Sequence, residues 1–225
     1  MYKNLYFETV KLVLDHAIAS YCHQKGVEQE QVDQDIVAHI IDTANQHQNP
    51  DPSIDYANPL CRLGYMYVHA GVNATLFELT IKKSPSLSTI INGRANDKIS
   101  VCAVGGGPGT ELLSLAKYSL TTKSAPCDIE FTVLDNIPEW AESWTQLGTI
   151  VQDRMRSALN TKVSVSKSFL QMDVTSPTSY KSYAWLFEGI DIFVFNYLLS
   201  ENQVHLETFR DALDEMVAKA PEGSM

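Results

Sequence analysis

The residues best placed to do chemistry lie in the stretch Ile99 to Glu111, ISVCAVGGGPGTE. The small and branched residues Val101, Cys102, Ala103 and Val104 run directly into Gly105-Gly106-Gly107-Pro108-Gly109. Leu112, Leu113, Leu115 and Ala116 then follow at helical spacing. The order predicts a strand, a tight glycine turn and a helix. Such a turn lets a ligand approach where a Cβ would collide, and the helix start offers unpaired N–H groups and partial positive charge. Its chemistry is therefore nucleotide binding beyond the carboxyl end of a strand. Two phosphate signatures fit poorly. The dinucleotide fingerprint needs its third glycine where Thr110 stands, and a phosphate-binding loop needs a lysine well before Lys117.

Three further strand-like runs end in polar residues. Ile129 to Leu134 ends at Asp135, a carboxylate that can accept both hydroxyls of a ribose. The same residue could cap the PEWAESW helix, and the two roles are compatible. Ser164 to Met172 closes with Asp173, which can accept from an adenine amino group while Met172 or Val174 packs on the ring. Asp173 could equally cap the turn Val174-Thr175-Ser176-Pro177. Ile190 to Phe195 ends in Asn196-Tyr197, with Ser200-Glu201 as a helix start.

This ordered set of strand ends resembles the class I S-adenosylmethionine-dependent methyltransferases over roughly Ile99 to Ala220. The resemblance implies an α/β, Rossmann-like, doubly wound and mainly parallel sheet. It implies S-adenosylmethionine as cofactor and S-adenosylhomocysteine as product. It places Gly105, Gly107 and Gly109 beside the amino-acid part of the cofactor, Asp135 on the ribose and Asp173 at the adenine. Asn196 and Tyr197 fall where the family lines its methyl-transfer pocket. Two positions depart from the pattern. Ala103 stands where many members carry an acid, so Glu111 is expected to meet the cofactor ammonium instead. FNYLLSE replaces the Asn/Asp-Pro-Pro motif of many amino-group methyltransferases, so a base amine is not the expected acceptor.

These residues need elements to position them. The first 95 residues read as a helical extension and residues 96–225 as the cofactor domain. Phe7, Val10, Leu14 and Ala17 mark one helix ending at Gly26, and Val32, Ile36, Ile40 and Ile41 mark a second. NPDPS breaks the chain. A third helical segment starts near Pro59, with Gly71 as a candidate break, and Ser84 or Ser86 caps a short helix. In the resembling enzymes such helices form a lid. Arg62 is then expected to pair with the cofactor carboxylate, and Tyr65, Tyr67, His69 and Asn73 to lie near the site. Packing roles are open for each of them, as for Trp140, which could cover an adenine face.

Composition sets the outer limits. A chain of 225 residues with 44% hydrophobic and 20% charged residues suits one globular α/β domain with an extension. A net charge of −10 argues against general nucleic-acid binding. The methyl acceptor, whether small molecule, protein or RNA, is not specified. No apolar run is long enough to span a bilayer. The four cysteines lack C-x-x-C spacing, so no metal site is expected and a reducing cytoplasmic or nuclear setting is. The resembling fold has seven strands, and four are placed before Met225. The C-terminal strands are expected to be missing, leaving the edge Ile192 to Phe195 bare. A shortened form, a fragment, or a partner such as a second copy would each account for this. A non-catalytic cofactor-binding or assembly subunit is the alternative to an enzyme.

Overall fold

The computed structural model describes residues 4–49, 54–95, 97–122, 126, 128–159, 163–196, 198 and 205–225. Helices α1 (Leu5–Lys25), α2 (Gln29–Gln46), α3 (Pro59–Lys83) and α4 (Pro85–Gly93) precede the sheet. Then come β1 (Lys98–Val104), α5 (Glu111–Thr122), β2 (Asp128–Asp135), α6 (Trp140–Leu159) and β3 (Ser164–Gln171). The short α7 (Pro177–Ser182) and α8 (Ala184–Phe187) lead to β4 (Ile192–Val194) and α9 (Leu206–Lys219). The expected helix start at Ser200-Glu201, together with Tyr197, Cys127 and part of NPDPS, lies outside the described residues.

The helix boundaries follow their local chemistry. Pro59 occupies the first turn of α3, and the Asn58 side chain accepts from the Leu60 N–H at 2.9 Å. Gly71 does not break α3, contrary to expectation. A helical glycine costs only about 1 kcal/mol against alanine, and the buried stripe Leu63, Met66, Ala70, Phe77 and Ile81 holds both halves of this helix in the core. Ser84, rather than Ser86, caps α4 by accepting from Leu87 N–H.

The sheet has four strands in the order β3-β2-β1-β4, all parallel. Parallel strands are buried on both faces and alternate their side chains between them. Ile99, Val101 and Ala103 accordingly join one hydrophobic cluster, together with residues of α1 to α6. Cys102 and Val104 join a second cluster with α7, α8 and α9. Helices α1 to α4 thus share a core with the sheet.

A buried polar knot fixes those helices to the glycine-turn helix. Glu78 of α3 accepts from Tyr6 of α1 at 2.7 Å and pairs with Lys117 of α5 at 2.8 Å. Burial pushes the Glu78 carboxyl up, but the bonds from Lys117, Lys82 and Tyr6 outweigh it and leave it below its ordinary value. Ser114 of α5 donates to the Ala74 carbonyl at 2.6 Å.

The expected bare edge beyond β4 is partly covered. After α9 the chain turns, and Met225 N–H donates to the Asp191 carbonyl at 3.1 Å while its carbonyl accepts from Phe193 N–H at 2.6 Å. That is one step of a parallel ladder. Among the described residues no helix is long and apolar enough to cross a membrane.

Candidate functional site

Beyond the carboxyl ends of β1, β2 and β3 lies a cavity of about 380 Å³. Gly105 and Gly107 line it from the turn after β1, Asp135 from the end of β2, and Met172, Asp173 and Val174 from the loop after β3. Tyr56 and Tyr65 close it from the helical extension, and Trp140 from the start of α6. The three rings pack with centroids 5.5 to 5.9 Å apart, within the range where aromatic pairs attract. His47, Leu198 and His205 complete much of the remaining wall.

The glycine turn is folded onto its own hydrogen-bond partners. Gly105 N–H donates to the Leu134 carbonyl at 2.7 Å, Gly107 N–H to Asp135 Oδ2 at 2.8 Å, and Gly109 N–H to the Gly106 carbonyl at 2.8 Å. These donors are therefore not aimed at a bound phosphate. Both Gly105 and Gly107 have positive φ, at 64° and 48°, so an L side chain would be strained there. Gly109, with φ 73°, does not line the cavity. A Cβ there would stand 2.3 Å from the Trp144 ring, so this glycine serves the close packing of α6.

Asp135 is nearly buried, and each oxygen accepts one backbone N–H: Oδ1 from Ile137 at 2.9 Å and Oδ2 from Gly107. Burial raises its carboxyl above the ordinary value, against the pull of those two N–H groups and of the Asn136 N–H. A carboxylate has about four acceptor sites, so lone pairs remain for a ligand. Its loop-capping role leaves room for a ligand's donor. Asp173 likewise spends Oδ1 on the N–H and hydroxyl of Thr175, at 2.8 and 2.6 Å. Among the described lining residues there are two aspartates and no lysine or arginine. A field of that sign suits a neutral or cationic ligand better than a pyrophosphate.

No family model matches this chain, and no curated protein sequence matches it.

Of the residues expected at the site, Gly105, Gly107, Asp135, Asp173 and Tyr65 meet on this cavity, and Trp140 joins them. Arg62 does not. Its guanidinium donates to the carbonyls of Tyr56 and Ala57 at 2.8 and 2.7 Å and sits 5.9 Å from the Trp140 ring. It braces the loop that presents Tyr56 and is not on the cavity wall. Glu111 and Asn196 are also absent from the wall; they bind each other, with Asn196 Nδ2 donating to Glu111 Oε1 at 2.6 Å. Tyr67 projects outward and is 71% exposed. His47 and Tyr56 were not singled out from the sequence. The usable signal was position, since both flank the Pro-rich break between α2 and α3.

Glu111 is 2% exposed, and its Oε2 has no partner among the described residues. Burial pushes its carboxyl up to about 7, its own N–H and Asn196 pull it down, and the Asp135 charge adds to the rise. A carboxyl raised on folding favours the folded state at low pH. That advantage is lost as pH climbs from the unfolded value of 4.5 to about 7. Glu111→Gln keeps the acceptor for Asn196 and removes the charge. The variant should match the parent near pH 4 and exceed it by about 3 kcal/mol near pH 8, read from urea unfolding at both pH values. Equal stabilities near pH 8 would show that Glu111 is ionised without penalty.

Proposed function

We propose that this chain binds S-adenosylmethionine in the strand-end cavity and is a methyltransferase of the class I, doubly wound type. The observation that carries this reading is the convergence of three consecutive strand ends on one cavity without phosphate-binding character. Gly105 and Gly107, then Asp135, then Asp173 enter in chain order from adjacent parallel strands. The neighbours of β1 are β2 on one side and β4 on the other, so the cavity opens where the strand order reverses, the usual ligand position in such sheets.

The residues present fit this cofactor. A ribose diol matches the remaining lone pairs of Asp135. An adenine matches Asp173 with Met172 and Val174 as apolar walls. The positive charge on the cofactor sits well in a cavity with two aspartates and, among the described residues, no basic chain other than histidine. The spent N–H groups of the glycine turn disfavour a nicotinamide dinucleotide, whose pyrophosphate would need them. When bound, the cofactor supplies a methyl group activated by its sulfonium. The chain's own contribution is to hold the nucleoside rigidly and exclude water, so that much of the rate comes from proximity and orientation.

Calorimetric titration with S-adenosylmethionine, S-adenosylhomocysteine and NADH tests the reading. Binding of the first two is expected with Kd on the order of micromolar, about −8 kcal/mol, and none of NADH. A folded protein that takes up NADH, or neither of the other two, would overturn it.

A further inference from the structure

A second cavity, of about 430 Å³, adjoins the first between α2 and α3. His47 and Tyr65 line both. A run of rings lines it, with Tyr65 and His69 centroids 4.9 Å apart and His69 and the exposed His47 6.4 Å apart. Asn73 also lines this cavity and is only 4% exposed. Its Nδ2 donates to Tyr65 Oη at 3.0 Å, while its Oδ1 has no partner among the described residues. A buried carbonyl oxygen left open costs about 1–3 kcal/mol, a cost that a ligand's donor would relieve.

The chemistry of the wall narrows the ligand. Among the described residues no aspartate, glutamate, lysine or arginine lines this cavity, so a charged ligand would find no counter-ion. Burial, and then the neighbouring His47, hold His69 below its ordinary value, which keeps that ring uncharged at neutral pH. His47 is oriented by its own helix. Its Nδ1 lies 2.9 Å from the Thr43 carbonyl, which can only accept, so Nδ1 is the donor of that bond and Nε2 is the ring nitrogen left for a ligand.

We propose that this second cavity is the methyl-acceptor site, that it takes a small uncharged aromatic or heteroaromatic molecule bearing an O–H or ring N–H, and that His47 receives the proton of that group. The inference rests on the cofactor reading above. The acceptor's heteroatom forms its bond to the methyl carbon as the methyl–sulfur bond breaks. Its proton passes to Nε2 of His47, so the charge leaving the sulfonium reappears as imidazolium and the cofactor product is neutral. A base suits such acceptors because their O–H or N–H is a poor nucleophile until the proton departs.

The test uses the full chain with isotope-labelled histidine, saturated with S-adenosylhomocysteine and titrated with imidazole and then phenol. Saturable shifts of the His47 and His69 ring resonances are expected. They should vanish in Ala44→Trp, which fills the cavity from an exposed position on α2, while S-adenosylhomocysteine affinity stays within about twofold. With S-adenosylmethionine, 1-methylimidazole or anisole should form, and His47→Asn should slow this by about 100-fold or more. Unmoved histidines with S-adenosylhomocysteine bound, or bound probes without methylated product, would overturn the acceptor site and leave the cofactor reading standing. Methylation undiminished in His47→Asn would overturn the proton role. Failure of the parent protein to bind S-adenosylhomocysteine would remove the cofactor reading and this inference with it.

Discussion

Replacing Gly109 by alanine is expected to cost about 3 kcal/mol or more, a large share of the roughly 5–15 kcal/mol that holds a domain folded. Two costs add. The residue has φ 73°, where a side chain is strained. Its new Cβ would also fall 2.3 and 2.6 Å from Cε3 and Cζ3 of Trp144. That ring cannot yield: it is 1% exposed, its Nε1 donates to the Ser168 carbonyl at 3.1 Å, and it packs on Phe131 at 5.2 Å. Gly71→Ala is the control, because nothing lies within 4 Å of a Cβ there. In the middle of α3 it should stabilise by about 0.5–1 kcal/mol. Urea unfolding of the two variants measures both. A Gly109→Ala loss below about 1 kcal/mol would mean that α6 can move away from the glycine turn.

Gly109 also illustrates what the sequence could convey. The run of glycines announces a turn after a strand, and chain order alone places the ends of β1, β2 and β3 side by side once the sheet is parallel. Asp135 and Asp173 were legible for that reason: their positions are set by backbone topology. Which glycine faces the cavity and which faces a helix depends on how Trp140 and Trp144 pack, and spacing does not encode that. Arg62 and Glu111 do not line the cavity for a related reason. A guanidinium or carboxylate near a site satisfies the nearest unpaired groups, here two carbonyls of the Tyr56 loop and the amide of Asn196. The second cavity was only half legible. His69 and Asn73 share a face with Tyr65 at helical spacing on α3, but His47 arrives from α2. A contact between two helices separated by a Pro-rich break is a long-range fact.

Asp135→Asn should weaken S-adenosylhomocysteine binding by about 100-fold and also lower stability by about 1–3 kcal/mol. The two effects have separate causes. The carboxylate accepts the N–H groups of Gly107 and Ile137. An amide oxygen can keep one of these bonds, but its NH₂ then faces the other donor. The ligand effect comes from the lone pairs left over, which an amide cannot offer to two hydroxyls at once. Loop disorder alone would also reduce affinity, so affinity by itself does not isolate the ribose contact. Comparison with the 2′,3′-dideoxy analogue does. The parent protein should bind the analogue about 100-fold more weakly than S-adenosylhomocysteine, because the carboxylate then has nothing to accept. In Asp135→Asn the two ligands should bind alike. Equal discrimination in both proteins would show that Asp135 acts only by holding the glycine turn, and the diol would have to be read by another residue of the cavity.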